Sequence, residues 1–162
     1  MPPDRPPDLV CPQLHTERIA ERTAGILLHG GRLTRSIIEN SAITLGRVAW
    51  MCPEQCAPHF AHFCAAWCSA LRGIRDDTEK EHSFMGLCSV IRLNPEPAMA
   101  AFGSVAAAIV SWRQIQCEGL GNSITQVVQG LKQGLVSSGR WDQALASMGE
   151  VVSRKLSAMC AV

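Results

Sequence analysis

The chain has 162 residues, with 15 basic and 14 acidic side chains, five histidines and a formal net charge of +1. That length supports one domain with a sizeable core. The scattered, balanced charge excludes the basic stripe of a nucleic-acid-binding face and the block of like charge that marks an acidic or basic tail.

Residues 1–15 carry Pro2, Pro3, Pro6, Pro7 and Pro12 and read as a disordered, proline-rich leader. With no apolar stretch, the leader does not resemble a signal peptide. A short helix is expected from Thr16 to His29, with Ile19, Thr23, Ile26 and Leu27 on one face and Gly30-Gly31 ending it. Residues 16–33 are read as the remnant of a helical repeat.

A fuller unit is expected over 34–75. Ile38, Ala42, Leu45 and Ala49 fall at the spacing of one buried helical stripe. Pro53 ends that helix and suits the first turn of the next, where its missing N–H costs nothing. Cys56, Phe60, Phe63, Trp67 and Leu71 share a face of this second helix. The polar run from Arg72 to Asp77 is a turn whose aspartates suit the following helix start.

The unit then recurs over 76–115. Phe84, Leu87, Cys88 and Ile91 mark its first helix, Asn94-Pro95-Glu96-Pro97 the turn, and Phe102, Val105, Ala106 and Ile109 the second helix, closed by Trp112. The offset is 42 residues: Glu39 falls on Glu81, Leu45 on Leu87, Val48 on Val90, Cys52-Pro53 on Asn94-Pro95, and Phe60 on Phe102. A helix, a proline-marked turn and a second helix at about 40–47 residues is the pattern of a HEAT or armadillo-type α-solenoid. Such arrays bind macromolecules.

After a polar linker from Gln116 to Asn122, residues 116–162 read as C-terminal capping helices. One is marked by Ile124, Val127, Val128, Leu131 and Leu135. The other is marked by Leu145, Met148, Val152, Leu156 and Met159, with a break at Ser137-Ser138-Gly139. No stretch alternates as a strand does, so the fold class is all-α. The longest uncharged span, Pro97 to Trp112, is shorter than the roughly 20 residues that cross a bilayer. The expectation is no membrane partner.

Cys52, Cys56, His59, His62, Cys64 and Cys68 place six metal-ligating side chains close together. Four would have to converge tetrahedrally on zinc. On a helix, Cys56 and Cys64 fall with Phe60, Phe63 and Trp67, whereas His59 and His62 drift to the opposite edge. The cysteines are therefore read as small core residues with free thiols. The histidines are read as solvated or lining the inner surface. No nucleophile elbow, phosphate loop or metalloprotease helix is present, and Gly119-Leu120-Gly121 lacks the strand and third glycine of a dinucleotide site. The expectation is a binding protein, with no catalytic, cofactor-binding or metal residues. Trp67 and Trp112 are read as packing and not as peptide anchors. Asp76, Asp77, Glu79 and Glu81 are read as a solvated helix start.

Three blocks carry a resemblance. The first is Ser36-Ile37-Ile38-Glu39-Asn40-Ser41-Ala42-Ile43-Thr44-Leu45-Gly46-Arg47, followed by Cys52-Pro53 and Ala57-Pro58. The second is the run from Trp67 through Leu71-Arg72-Gly73-Ile74-Arg75-Asp76 to Lys80. The third is Phe84-Met85-Gly86-Leu87-Cys88 with Asn94-Pro95. Together these resemble the last HEAT repeats of the transportin family within the importin-β (karyopherin-β) superfamily. The resemblance runs from about Glu17 to the C-terminus and leaves out the proline-rich leader. It implies a nuclear import receptor of the cytoplasm and nucleus. Its partners are protein cargo with proline-tyrosine nuclear localisation signals, held on the concave second-helix side, and the Ran GTPase, which releases the cargo. It carries over no cargo-binding residue by number, since the family's signal-gripping tryptophans and acidic residues have no match here. Two other readings stand beside it: a HEAT-repeat scaffold or adaptor without an import role, and a small Cys/His metal-binding protein.

Overall fold

A computed structural model describes residues 13–160, and these hold helices and turns with no strand. Ten α-helices follow in order: α1 (Gln13–His29), α2 (Arg35–Met51), α3 (Pro53–Cys56), α4 (Phe60–Leu71), α5 (Thr78–Leu93), α6 (Glu96–Ala100), α7 (Phe102–Ile109), α8 (Glu118–Ser137), α9 (Trp141–Met148) and α10 (Glu150–Cys160). The fold is an all-α array of helix pairs in two rows. Helices α2, α5 and α8 pack side by side in one row, α4, α7 and α9 in the other, and α10 closes on α7, α8 and α9. A single apolar core runs between the rows. No described helix is long and apolar enough to cross a membrane.

The 42-residue period of the sequence is also a period of the backbone. Cys52 and Asn94 take nearly the same conformation, with φ/ψ of −138°/60° and −142°/83°. Each donates its N–H back to a matching valine carbonyl, Cys52 to Val48 at 2.8 Å and Asn94 to Val90 at 2.9 Å. Further on, the second helix of each pair breaks at matching places, before Phe60 and before Phe102. At the first break Pro58 removes a backbone donor and stiffens a 3-10 turn over Ala57–His59. The second break has no proline at the matching position. What the two share is the phenylalanine that follows, fully buried in both.

The core side chains trade volume between the units. Ala42 is small, so the Trp67 ring packs over it and donates its Nε1–H to the Ala42 carbonyl at 3.1 Å. Forty-two residues on, the larger Phe84 stands in the place of Ala42 and the smaller Ile109 in that of Trp67, both buried, and Trp112 meets Phe84 edge-on at 5.4 Å. Volume-conserving exchanges of this kind keep packing density while sequence diverges. The two turns are also tied together, since the Asn94 Nδ2–H donates to the Ala57 carbonyl at 2.8 Å.

Between α2 and α5 the backbones themselves nearly touch. A Cβ on Gly46 would lie 2.7 Å from the Ser83 Cβ, and one on Gly86 would fall far inside van der Waals contact with the Gly46 carbonyl oxygen. Both positions require glycine because no side chain fits, whatever the backbone angles.

The structure corrects the sequence reading at several places. Helix α1 begins at Gln13, inside the expected leader; residues 1–12 lie outside the described residues. Its buried face is Thr16, Ala20, Thr23 and Ala24, whereas Ile19 is 43% exposed. Small residues face α2 and α4 because α1 lies close against both. Helix α8 starts at Glu118, within the expected linker. The last expected helix is two, α9 and α10, separated by Gly149 at φ 75°, a left-handed conformation that glycine adopts without penalty. Its expected stripe holds at Met148 and Leu156, but Met159 is 37% exposed.

Candidate protein-binding surface

The residues singled out for chemistry sort into core and surface. Cys56 and Cys64 are buried in one cluster with Phe60, Phe63 and Trp67, as helical spacing predicts, and Cys68 is buried there too. His59 and His62 are exposed on the same segment. Among the described residues no cluster of three or more histidine, cysteine or acidic side chains could hold a metal ion. Burial, with help from Glu54, raises the Cys56 thiol to about 11, and burial raises Cys88 to about 12. A hydrogen bond with Cys64 and burial both push Cys68 up. Thiols held protonated in this way are poor nucleophiles and poor metal ligands. Cys56, Cys64, Cys68, Cys88, Cys117 and Cys160 are free. Cys52 departs from the expected thiol state and is disulfide-bonded.

The tryptophans divide in the same way. Trp67 and Trp112 are core residues. Trp50 is half-buried and stacks on His82 across α2 and α5, with ring centroids 4.9 Å apart. Trp141 is half-buried against Phe102, and the Lys132 ammonium lies 5.3 Å from its ring centre.

The acidic run before α5 does structural work that the sequence only partly signals. Asp77 caps α5, its Oδ1 accepting from the Glu79 and Lys80 N–H groups at 3.0 and 3.1 Å. Glu79 reaches Arg47 on α2 at 3.0 Å. Asp76 takes the Lys80 ammonium at 2.8 Å and also accepts the Arg113 backbone N–H at 2.8 Å. Lys80 itself is 1% exposed and lies 4.7 Å over the Trp112 ring. Burial pushes the Asp76 carboxyl up, but the Lys80 ammonium and the Arg113 N–H outweigh it and hold the group below the usual carboxylate range. Sequence reasoning missed Lys80. The available signal was the Asp76–Lys80 spacing of four across the start of α5.

On the surface, a groove of about 200 Å³ separates α1 from α3 and α4. Ala20, Ala24, Leu28 and Phe63 line it together with Glu17, Glu21, His59 and His62. The Gln55 Oε1, which lines the same groove, is buried and accepts no hydrogen bond among the described residues. The sequence reading named no binding residue, and no motif points to this set, because the groove draws on helices far apart in the chain.

No family model matches the chain. Over 124 residues it is 45% identical to transportin-1 of Oryza sativa subsp. japonica, a match covering 76% of this chain and 14% of that protein. It is 40% identical over 78 residues to transportin-1 of Homo sapiens, covering 48% of this chain and 9% of the relative. A third relative, importin subunit beta-2 of Schizosaccharomyces pombe, is 31% identical over 70 residues, 43% of this chain and 8% of the relative. The chain thus spans 14% or less of the length of these curated relatives. Its paired-helix fold and these identities agree: over the matched stretch this is a transportin-like chain, a partial counterpart of the transportin and importin-β2 proteins.

Proposed function

We propose that the chain serves as a HEAT-repeat portion of a transportin-type nuclear import receptor, acting by binding and not by catalysis. The 45% identity to a transportin over 124 residues carries this reading. In it, residues 34–75 and 76–115 are two HEAT repeats, 16–33 belong to a preceding one, and 116–162 cap the array. The whole receptor takes protein cargo bearing proline-tyrosine nuclear localisation signals, is unloaded by Ran GTPase, and moves between cytoplasm and nucleus. This portion supplies a stiff, closed array end instead of the main cargo contacts. By itself it binds a proline-tyrosine signal peptide no more tightly than micromolar.

The test replaces the matched segment of a transportin-1 with this chain and follows a reporter carrying such a signal into nuclei of permeabilised cells. Retained import supports the proposal. A chimera that folds and reaches the cytosol but imports nothing overturns it and favours a scaffold role. Sub-micromolar anisotropy binding of the signal peptide by the chain alone contradicts the placement of cargo contacts elsewhere.

A further inference from the structure

A second groove, of about 510 Å³, lies where the C-terminal ends of α4 and α7 meet the start of α10. Its apolar wall is Ala107 from α7 and Val110 just after it, with Val151 and Val152 from α10. Val151 is 67% exposed, the largest value among the exposed large apolar residues described. Arg72, which ends α4, and Lys155, on α10, line the same groove.

The charged residues that line the groove have one sign. Neither Arg72 nor Lys155 takes part in any ion pair among the described residues. Of the acids close by, Glu39 is held by Arg35 at 2.6 Å and Glu150 by Arg154 at 2.7 Å. Two helix C-termini would ordinarily make the place unwelcoming to an anion. Several of their last carbonyls are already engaged, however. Ala70 and Leu71 accept from the Gly73 and Ile74 N–H groups, Ile109 accepts from Trp112, and Ala108 accepts the Ser111 hydroxyl at 2.6 Å. The Gly73 carbonyl, too, is taken by Arg35 at 2.7 Å. The first turn of α10, by contrast, brings N–H groups that no intrahelical carbonyl accepts.

From this we infer that the groove docks a short acidic segment of a partner protein, with one or two apolar side chains on the valine wall and flanking carboxylates on Arg72 and Lys155. An unpaired cation at each side of an apolar strip selects for that pattern and rejects a basic segment by like-charge repulsion. The volume falls in the range that accommodates a small ligand or a few side chains. The inference stands apart from the import reading, whose cargo signals differ in charge and chemistry, and no import assay enters its test.

The test is fluorescence anisotropy on the full chain with a short labelled peptide that sets leucine and phenylalanine among glutamates. Its counterpart carries lysines in place of the glutamates. The acidic peptide is expected to bind in the micromolar range, at least about tenfold tighter than the basic one, and to weaken with added salt. The double variant Arg72→Glu/Lys155→Glu, and its milder form Arg72→Gln/Lys155→Gln, should lower that affinity about tenfold or more. Arg18→Glu/Arg22→Glu on α1 should leave it unchanged. Equal binding of the two peptides, no binding of the acidic one, or indifference to both groove variants overturns the inference.

Discussion

Replacing Gly86 with alanine tests the idea that α2 and α5 pack backbone against backbone. The added Cβ would overlap the Gly46 carbonyl oxygen and lie 3.0 Å from the Trp50 backbone nitrogen. Both obstacles are main chain, so no rotamer change relieves them and the helices must part by on the order of 1 Å. A gap of that size forfeits a quarter to a half of the dispersion attraction at each contact along the seam. Overpacking of this kind costs about 1–3 kcal/mol, and a seam of backbone atoms belongs at the upper end. Alanine returns about 1 kcal/mol through helix propensity. The net expectation is a loss of about 2 kcal/mol, or a fall in Tm of about 4–8 °C for a chain of this length. Gly130→Ala on α8 is the internal control: a Cβ there meets nothing within 4 Å, so the propensity gain stands alone and the variant should be more stable by about 1 kcal/mol. Urea unfolding followed by helical circular dichroism measures both. If Gly86→Ala matched the parent or exceeded it while Gly130→Ala stabilised, the close approach of α2 and α5 would be refuted.

Asp76→Asn should cost about 2–4 kcal/mol near neutral pH, because it strands the buried Lys80 cation. The Asp76 carboxyl is held below its ordinary value in the fold, so its contribution is present above about pH 4 and is lost as the pH falls through the folded value. The parent should therefore lose more stability between pH 5 and pH 3 than the variant; equal acid sensitivity would remove Asp76 from that role. With a thiol reagent at pH 8 and mapping by mass spectrometry, half-buried Cys117 should react first. Cys56, Cys64, Cys68, Cys88 and Cys160 should wait for denaturant, and early labelling of Cys56 or Cys88 would contradict their core placement. Gly149→Ala should destabilise by about 1 kcal/mol or more, since the residue sits at φ 75°; thermal melts that match the parent would argue against that turn.

The paired-helix plan was legible because burial in such arrays follows helical spacing closely. Ala42, Leu45 and Ala49 on α2, Phe84, Leu87, Cys88 and Ile91 on α5, and Ile124, Val127, Val128, Leu131 and Leu135 on α8 are all buried as their intervals require. Periodicity failed where contact distance, and not hydrophobicity, decides the buried face. On α1 the alanines and threonines point inward and Ile19 points out. It failed again at Gly149, where the apolar stripe runs straight through a backbone break that only the φ angle reveals. Neither surface groove was legible. The one at α10 joins Arg72, Val110 and Lys155, residues that no local pattern connects. Lys80 stayed hidden because a lysine is ordinarily assigned to solvent. Its burial depends on Asp76 and Trp112 arriving together from the two ends of one unit.

The glycine seam between α2 and α5 also has a mechanical meaning. A joint in which main chains rest on each other has almost no compressible material in it, whereas α4 and α7 are separated by side chains that can change rotamer. Load applied to the array would be taken up unequally: the α2–α5 edge acts as a fixed pivot and the α4–α7 edge as the side that opens and closes. Bending would then have a preferred direction, written into the chain by Gly46 and Gly86.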